Sequence, residues 1–181
     1  MGSTGRSKSQ PEYTTQKNHL LHSSLVDGLA FSWSNVTYDY DAGDTILAVQ
    51  NDNTTHKLHI DQIWCHANAT TRVIVHTTSE NGFTMAGTPV TGVNFNRTVT
   101  PPVALATAFA DETGNTQGNI LWAGSIPADS ATPVLVNAGI VLKVDDGSSP
   151  TLTGGVIAVD FLEAAGTAEA YVTIIGHYEK A

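Results

Sequence analysis

From Ala30 onward the chain alternates short apolar stretches with clusters of turn residues. The stretches AFSWSNVTY, DTILAVQN, KLHIDQIWCHA, TTRVIVHTT, TPVTGVNFN, VALATAFAD, NILWAGSI, TPVLVNA, GIVLKVDD, GGVIAVDFLE and AEAYVTIIGHYE are rich in Val, Ile, Thr and aromatic residues. Gly, Asn, Asp and Pro separate them, which is the pattern of β-strands joined by turns. No stretch beyond residue 30 holds the apolar period of an α-helix over several turns. Many short strands on one chain predict an all-β fold, a jelly-roll-like two-sheet β-sandwich with an extended N-terminal arm. The expected division is an arm over residues 1–28 and a β-sandwich domain over 29–181. Alternation within the last strands places Ile157, Val159, Phe161, Val172 and Ile174 in the core and turns Asp160 away from it.

Composition narrows the classes. Of 181 residues 41% are hydrophobic and 14% charged, so the chain can bury a core, and no run reaches the length of a membrane span. The opening MGSTGRSKSQPEYTTQKNH has basic residues but no apolar h-region, so it does not read as a secretory signal, and folding in a cytosol is expected. Cys65 is the single cysteine, which excludes a disulfide within the chain. The first twenty residues carry Arg6, Lys8 and Lys17 against Glu12, so the remainder holds about −11 of a net −9. An acidic body of this kind repels phosphates, which argues against direct nucleic-acid binding. The three cations of the arm fit either a solvated tail or one that docks on the acidic surface of a neighbouring subunit, and the second reading nominates Arg6, Lys8 and Lys17 as assembly residues.

The stretch HKLHIDQIWCHANATTRVIVH carries His56, His59, Asp61, Cys65, His66 and His76, a composition that could serve a metal or a catalytic site. Strand alternation sorts Leu58, Ile60, Gln62, Trp64 and His66 onto one face and His59, Asp61, Ile63 and Cys65 onto the other. A hairpin turning near Asn68 and Ala69 would bring His66 beside Thr71 and His59 beside Thr78, leaving His76 apart. Zinc needs three or four ligands converging on one point, so no metal site is expected, and Cys65 reads as a small core residue. Asp39, Asp41 and Asp44 resemble the start of an EF-hand loop, but Gln50 stands where the closing Glu belongs; an acidic turn is expected, with an inter-subunit ion as the alternative. No nucleophile elbow, phosphate loop, dinucleotide fingerprint or Cys-x-x-Cys pair occurs, and no carboxylate pair is nominated for glycoside hydrolysis. Neither an enzyme nor a cofactor is therefore expected.

A polar arm followed by an acidic sandwich rich in Thr, Ala, Gly and Val, with ILWAGSIPADS, NAGIVLKVDDG and the closing GGVIAVDFLEAAGTAEAYVTIIGHYE, is similar to small virion proteins of tailed bacteriophages. The resemblance is to jelly-roll capsid decoration (cement) proteins and to fibre modules, and covers roughly residues 30 to 178. It carries no diagnostic motif and transfers no functional residue. It implies a non-enzymatic viral structural protein, made in the host cytoplasm and located in the virion. Such a protein binds the outer head shell and stabilises it through subunit contacts and its arm. The implied partners are the major capsid protein or another virion protein, together with further copies of itself, a trimer being the usual arrangement. The alternative is a fibre, adhesin or carbohydrate-binding module, in which Trp33, Trp64 and Trp122 could stack on sugar rings.

Overall fold

A computed structural model describes residues 29–38, 41–78, 87–96, 104–110, 117–143, 155–163 and 169–181. The arm, with Arg6, Lys8 and Lys17, and Asp39 of the acidic turn lie outside the described residues. The described chain forms eleven strands: β1 (Ala30–Tyr38), β2 (Asp44–Asn51), β3 (His56–Ala67), β4 (Thr71–Thr78), β5 (Thr88–Pro89), β6 (Val93–Asn94), β7 (Ala106–Ala110), β8 (Gln117–Ile126), β9 (Thr132–Leu142), β10 (Val156–Phe161) and β11 (Glu169–Lys180). They build two antiparallel sheets, in the orders β6-β1-β11-β3-β9 and β5-β7-β2-β10-β4-β8, packed as a sandwich.

Setting aside the short strands β5, β6 and β7, the pairings nest. β1 pairs with β11, β2 with β10, β3 with β9 and β4 with β8. This is a hairpin of four strand pairs rolled around a core, the jelly-roll arrangement that the sequence predicts. The short strands extend both sheets on one side: β6 adds to β1, while β7 adds to β2 and carries β5. Two sequence expectations differ from this. TPVTGVNFN is not one strand but supplies β5 and β6 to opposite sheets. TPVLVNA and GIVLKVDD join into the single strand β9, which bulges between its pairings Gln62↔Val136 and Ile60↔Ile140, where Gly139 takes a φ of 63°.

The core lies between the sheets. Phe31, Trp33, Ile63, Cys65, Val172, Ile174 and Tyr178 from the first sheet meet Ile46, Leu47, Val49, Val73, Val75, Ile157, Val159 and Phe161 from the second. The alternation expected for β10 and β11 is therefore the observed one. Each large apolar side chain buried here contributes about 1.5–3 kcal/mol by leaving water. Polar ties cross the layers as well. The Asn51 amide, buried at the end of β2, reaches the carbonyls of His56 (2.9 Å) and Lys143 (2.9 Å) on the opposite layer. The Tyr178 hydroxyl accepts the Leu105 amide at 2.9 Å, and burial raises its pKa.

Candidate functional site

The stretch that holds most of the histidines does not fold as a hairpin. β3 belongs to the first sheet and β4 to the second, so the chain crosses between layers at residues 68–70. The crossing is fixed by Asn68, whose amide bonds the Glu169 carbonyl at 3.2 Å while its side chain accepts the Glu169 amide at 2.9 Å. His66 consequently does not pair with Thr71, nor His59 with Thr78. The expected sorting of faces along β3 also fails at its middle. Asp61 is an extra residue opposite Ile175 and Gly176, a β-bulge that reverses the alternation. Leu58 and Ile60 point inward before the bulge, and Ile63, Cys65 and Ala67 after it. The outer face thus collects His59 ahead of the bulge and Gln62, Trp64 and His66 beyond it.

β11 completes that outer face. His177 stands in register with His59, and the two imidazoles stack at 4.8 Å with an interplanar angle of 13°. His177 Nδ1 lies 2.7 Å from Asp61 Oδ2, so the bulge residue holds this ring. His59 Nε2 lies 2.8 Å from Glu179 Oε2, a contact that is an ion pair only when the ring is protonated. Burial lowers the pKa of His59 and the neighbouring His177 adds to the fall, outweighing Glu179 and Asp61. Gly176 is what permits the approach: a Cβ there would sit 2.4 Å from the His59 carbonyl oxygen.

The other nominated residues go elsewhere. His56 opens β3, its amide bonded to Asn53 Oδ1 in the preceding turn at 2.7 Å. Cys65 is buried in the core, where burial raises its thiol pKa to about 12. His76 lies on the outer face of the second sheet, its Nε2 2.8 Å from Asp160 Oδ2, while Thr45 donates to the other carboxylate oxygen at 2.6 Å. Asp160 does turn away from the core, yet it is buried in this network rather than solvated. Burial works against the charge on His76, but the hydrogen bond and charge of Asp160 prevail and its pKa is raised. Asp41 and Asp44 form a turn in which Asp44 Oδ2 accepts the Asp41 amide at 2.9 Å. Among the described residues, no group of three or more His, Cys, Asp or Glu is placed to hold a metal ion.

The three tryptophans also separate. Trp33 is fully buried and stacks on Phe31 at 6.1 Å. Trp122 folds back along its own strand over Gly124, where a Cβ would meet its ring at 2.6 Å. Trp64 alone of the three stands on the open outer face, 37% exposed, with its Nε1 donating to Gln62 Oε1 at 3.0 Å. It borders a shallow depression of about 350 Å³, lined also by His66, Tyr171, Thr173, Ala131 and Cys65. His66 meets Tyr171 edge to face at 5.2 Å, and its Nδ1, buried from solvent, has no hydrogen-bond partner among the described residues. The Tyr171 hydroxyl is held by Glu169, and Thr173 Oγ1 lies 2.9 Å from Ser34 Oγ.

The outer face of the first sheet is therefore the candidate site. It gathers one open indole, a Tyr–His pair, hydroxyls and a paired set of imidazoles with carboxylates. Sequence reasoning nominated Trp64, His59, Asp61 and His66 but missed Tyr171, His177 and Glu179. Those three sit more than 100 positions away along the chain and join only through the β3–β11 register. The closing GHYE, polar at every second position, was the one local signal for them. No known protein family, no curated protein and no solved structure matches the chain.

Proposed function

We propose that the protein is a non-enzymatic structural protein of a virion, of the capsid-decoration kind, that works by self-association and by docking on a protein shell. The observation that carries this reading is the uncovered edge formed by β8 and β9. β8 is the edge strand of its sheet, ten residues long, and its sequence QGNILWAGSI has no charged side chain. Ile120 is 52% exposed and Leu121, the extra residue where the pairing with β4 slips, is 40% exposed. On the adjoining edge strand β9, Val136 and Val141 are exposed too. Monomeric proteins blunt such edges with Lys, Pro or a bulge, because unpaired backbone groups beside apolar side chains recruit another strand. β9 has its proline and its bulge; β8 is also bulged against β4, at Leu121 and again between Gln117 and Ile120, but it carries neither a proline nor a charged side chain. A second subunit covering β8 would bury this surface, and closed homo-oligomers do so with one repeated contact.

The jelly roll is compatible with shell proteins and equally with other binding proteins, so the fold alone does not decide the reading. Light scattering on the size-separated full chain tests it, together with sedimentation alongside phage particles. An oligomer that dissociates in Ile120→Lys or Leu121→Lys, with the melting temperature of the monomer retained, supports the proposal. A monomer at every concentration that also fails to sediment with particles overturns it.

A further inference from the structure

We infer that the depression beside Trp64 is a binding site for a neutral sugar, a pyranose ring of a surface glycan. Four features converge on that class of ligand. The volume, about 350 Å³, falls at the small end of the range for small-molecule sites and suits one or two rings. Trp64 presents its indole at the rim, with the ring's only N–H already committed to Gln62. What it offers a ligand is an apolar π-face, the complement of the C–H face of a pyranose. The polar groups around it are hydroxyls: Thr173 with its Ser34 neighbour, and Tyr171, which donates to Glu169. Such groups exchange hydrogen bonds with sugar hydroxyls in either direction. Among the described residues no Lys or Arg lines the depression, and the chain carries a net charge of −9, so an anionic ligand is disfavoured.

Trp64 is then the stacking residue, Tyr171 and Thr173 orient the ring, and His66 supports Tyr171 from the side. The site faces away from the core, on the outside of the first sheet, and does not use the β8 edge. It stands whether or not that edge assembles subunits.

The test is binding of the full chain to a printed array of neutral oligosaccharides, followed by titration of the best one in solution while tryptophan fluorescence is read. Choline is titrated in parallel, because an aromatic rim beside Glu169 could instead take a quaternary ammonium. The expected result is saccharide binding with a blue shift of the emission. Trp64→Ala should weaken it about tenfold or more, and Trp64→Phe should retain most of it. Both variants should melt with the wild type, since the side chain is partly exposed. Absence of binding to every neutral glycan, binding that Trp64→Ala leaves unchanged, or binding of choline without any saccharide would each overturn the inference.

Discussion

Asp160 offers the sharpest test of how this sandwich is held together. Its carboxylate is buried on the outer face of the second sheet, 2.8 Å from His76 Nε2 and 2.6 Å from Thr45 Oγ1. Asp160→Ala leaves His76 and Thr45 buried without their acceptor. Removing one partner of a buried ion pair costs about 3–5 kcal/mol, most of it the penalty on the group left behind. That is a large part of the roughly 5–15 kcal/mol that stabilises a typical domain. Replacing both partners, as His76→Leu with Asp160→Val, removes the orphan as well as the bond, and should end within about 1–2 kcal/mol of wild type. The loss in the double variant should therefore be smaller than in Asp160→Ala alone. Urea unfolding followed by tryptophan emission measures all three proteins.

The pH dependence supplies an independent arm. The folded-state pKa of His76 is raised above its ordinary 6.5, so the folded protein binds the proton more tightly than the unfolded chain. Its contribution is complete below pH ~6.5 and fades as pH rises through the raised value. His59, whose pKa is lowered, acts in the opposite sense: its neutral form is favoured by folding, and its penalty grows as pH falls below ~6.5. Asp160→Asn should remove the His76 component and leave the His59 component. A loss under about 1 kcal/mol for Asp160→Ala, or a double variant as unstable as the two single losses summed, would refute the argument.

Three further outcomes are expected. Gly176→Ala should destabilise the fold by about 1–3 kcal/mol in the same assay, because the new methyl meets the His59 carbonyl and the bulge opposite must shift. Cys65 should resist thiol reagents in the folded protein and react at once in denaturant, since it is buried and its pKa is pushed up to about 12. Deleting residues 2–20 should leave the melting temperature of the isolated protein nearly unchanged while lowering its occupancy on particles or its oligomer size. Early unfolding of that truncation would show that the arm belongs to the fold.

Strand positions are legible in this sequence because β-branched residues and turn residues alternate so regularly. AFSWSNVTY and DTILAVQN match β1 and β2 residue for residue. The inward set on β10 and β11 is legible for the same reason, since a two-residue period leaves no choice once the apolar positions are known. Layer assignment is not legible. HANAT between the two strands reads as a hairpin turn, and it is the pair of bonds from the Asn68 amide and side chain to the Glu169 backbone that accompanies the crossing into the other sheet. The bulge at Asp61 is equally silent, because its cause is the missing Cβ of Gly176 on a strand far along the chain. The candidate site inherits both difficulties. Trp64 could be named as one of three tryptophans but not told apart from buried Trp33, and its neighbours Tyr171 and Thr173 arrive only by register.

The nested pairing has a consequence for how the molecule is made. Among the described strands, no two that are consecutive in sequence are hydrogen-bonded neighbours. No local hairpin is available as a nucleus, and folds dominated by distant pairings form in milliseconds to seconds rather than microseconds. β11 sits between β1 and β3, so until the ribosome releases it the first sheet exists only as two separated pieces with open edges. A chain cut short before Glu169 lacks the strand that joins them and presents those edges to every neighbour. Only a chain that includes β11 can close the first sheet and align Tyr171 and Thr173 with Trp64, so the outer face around Trp64 comes into being last.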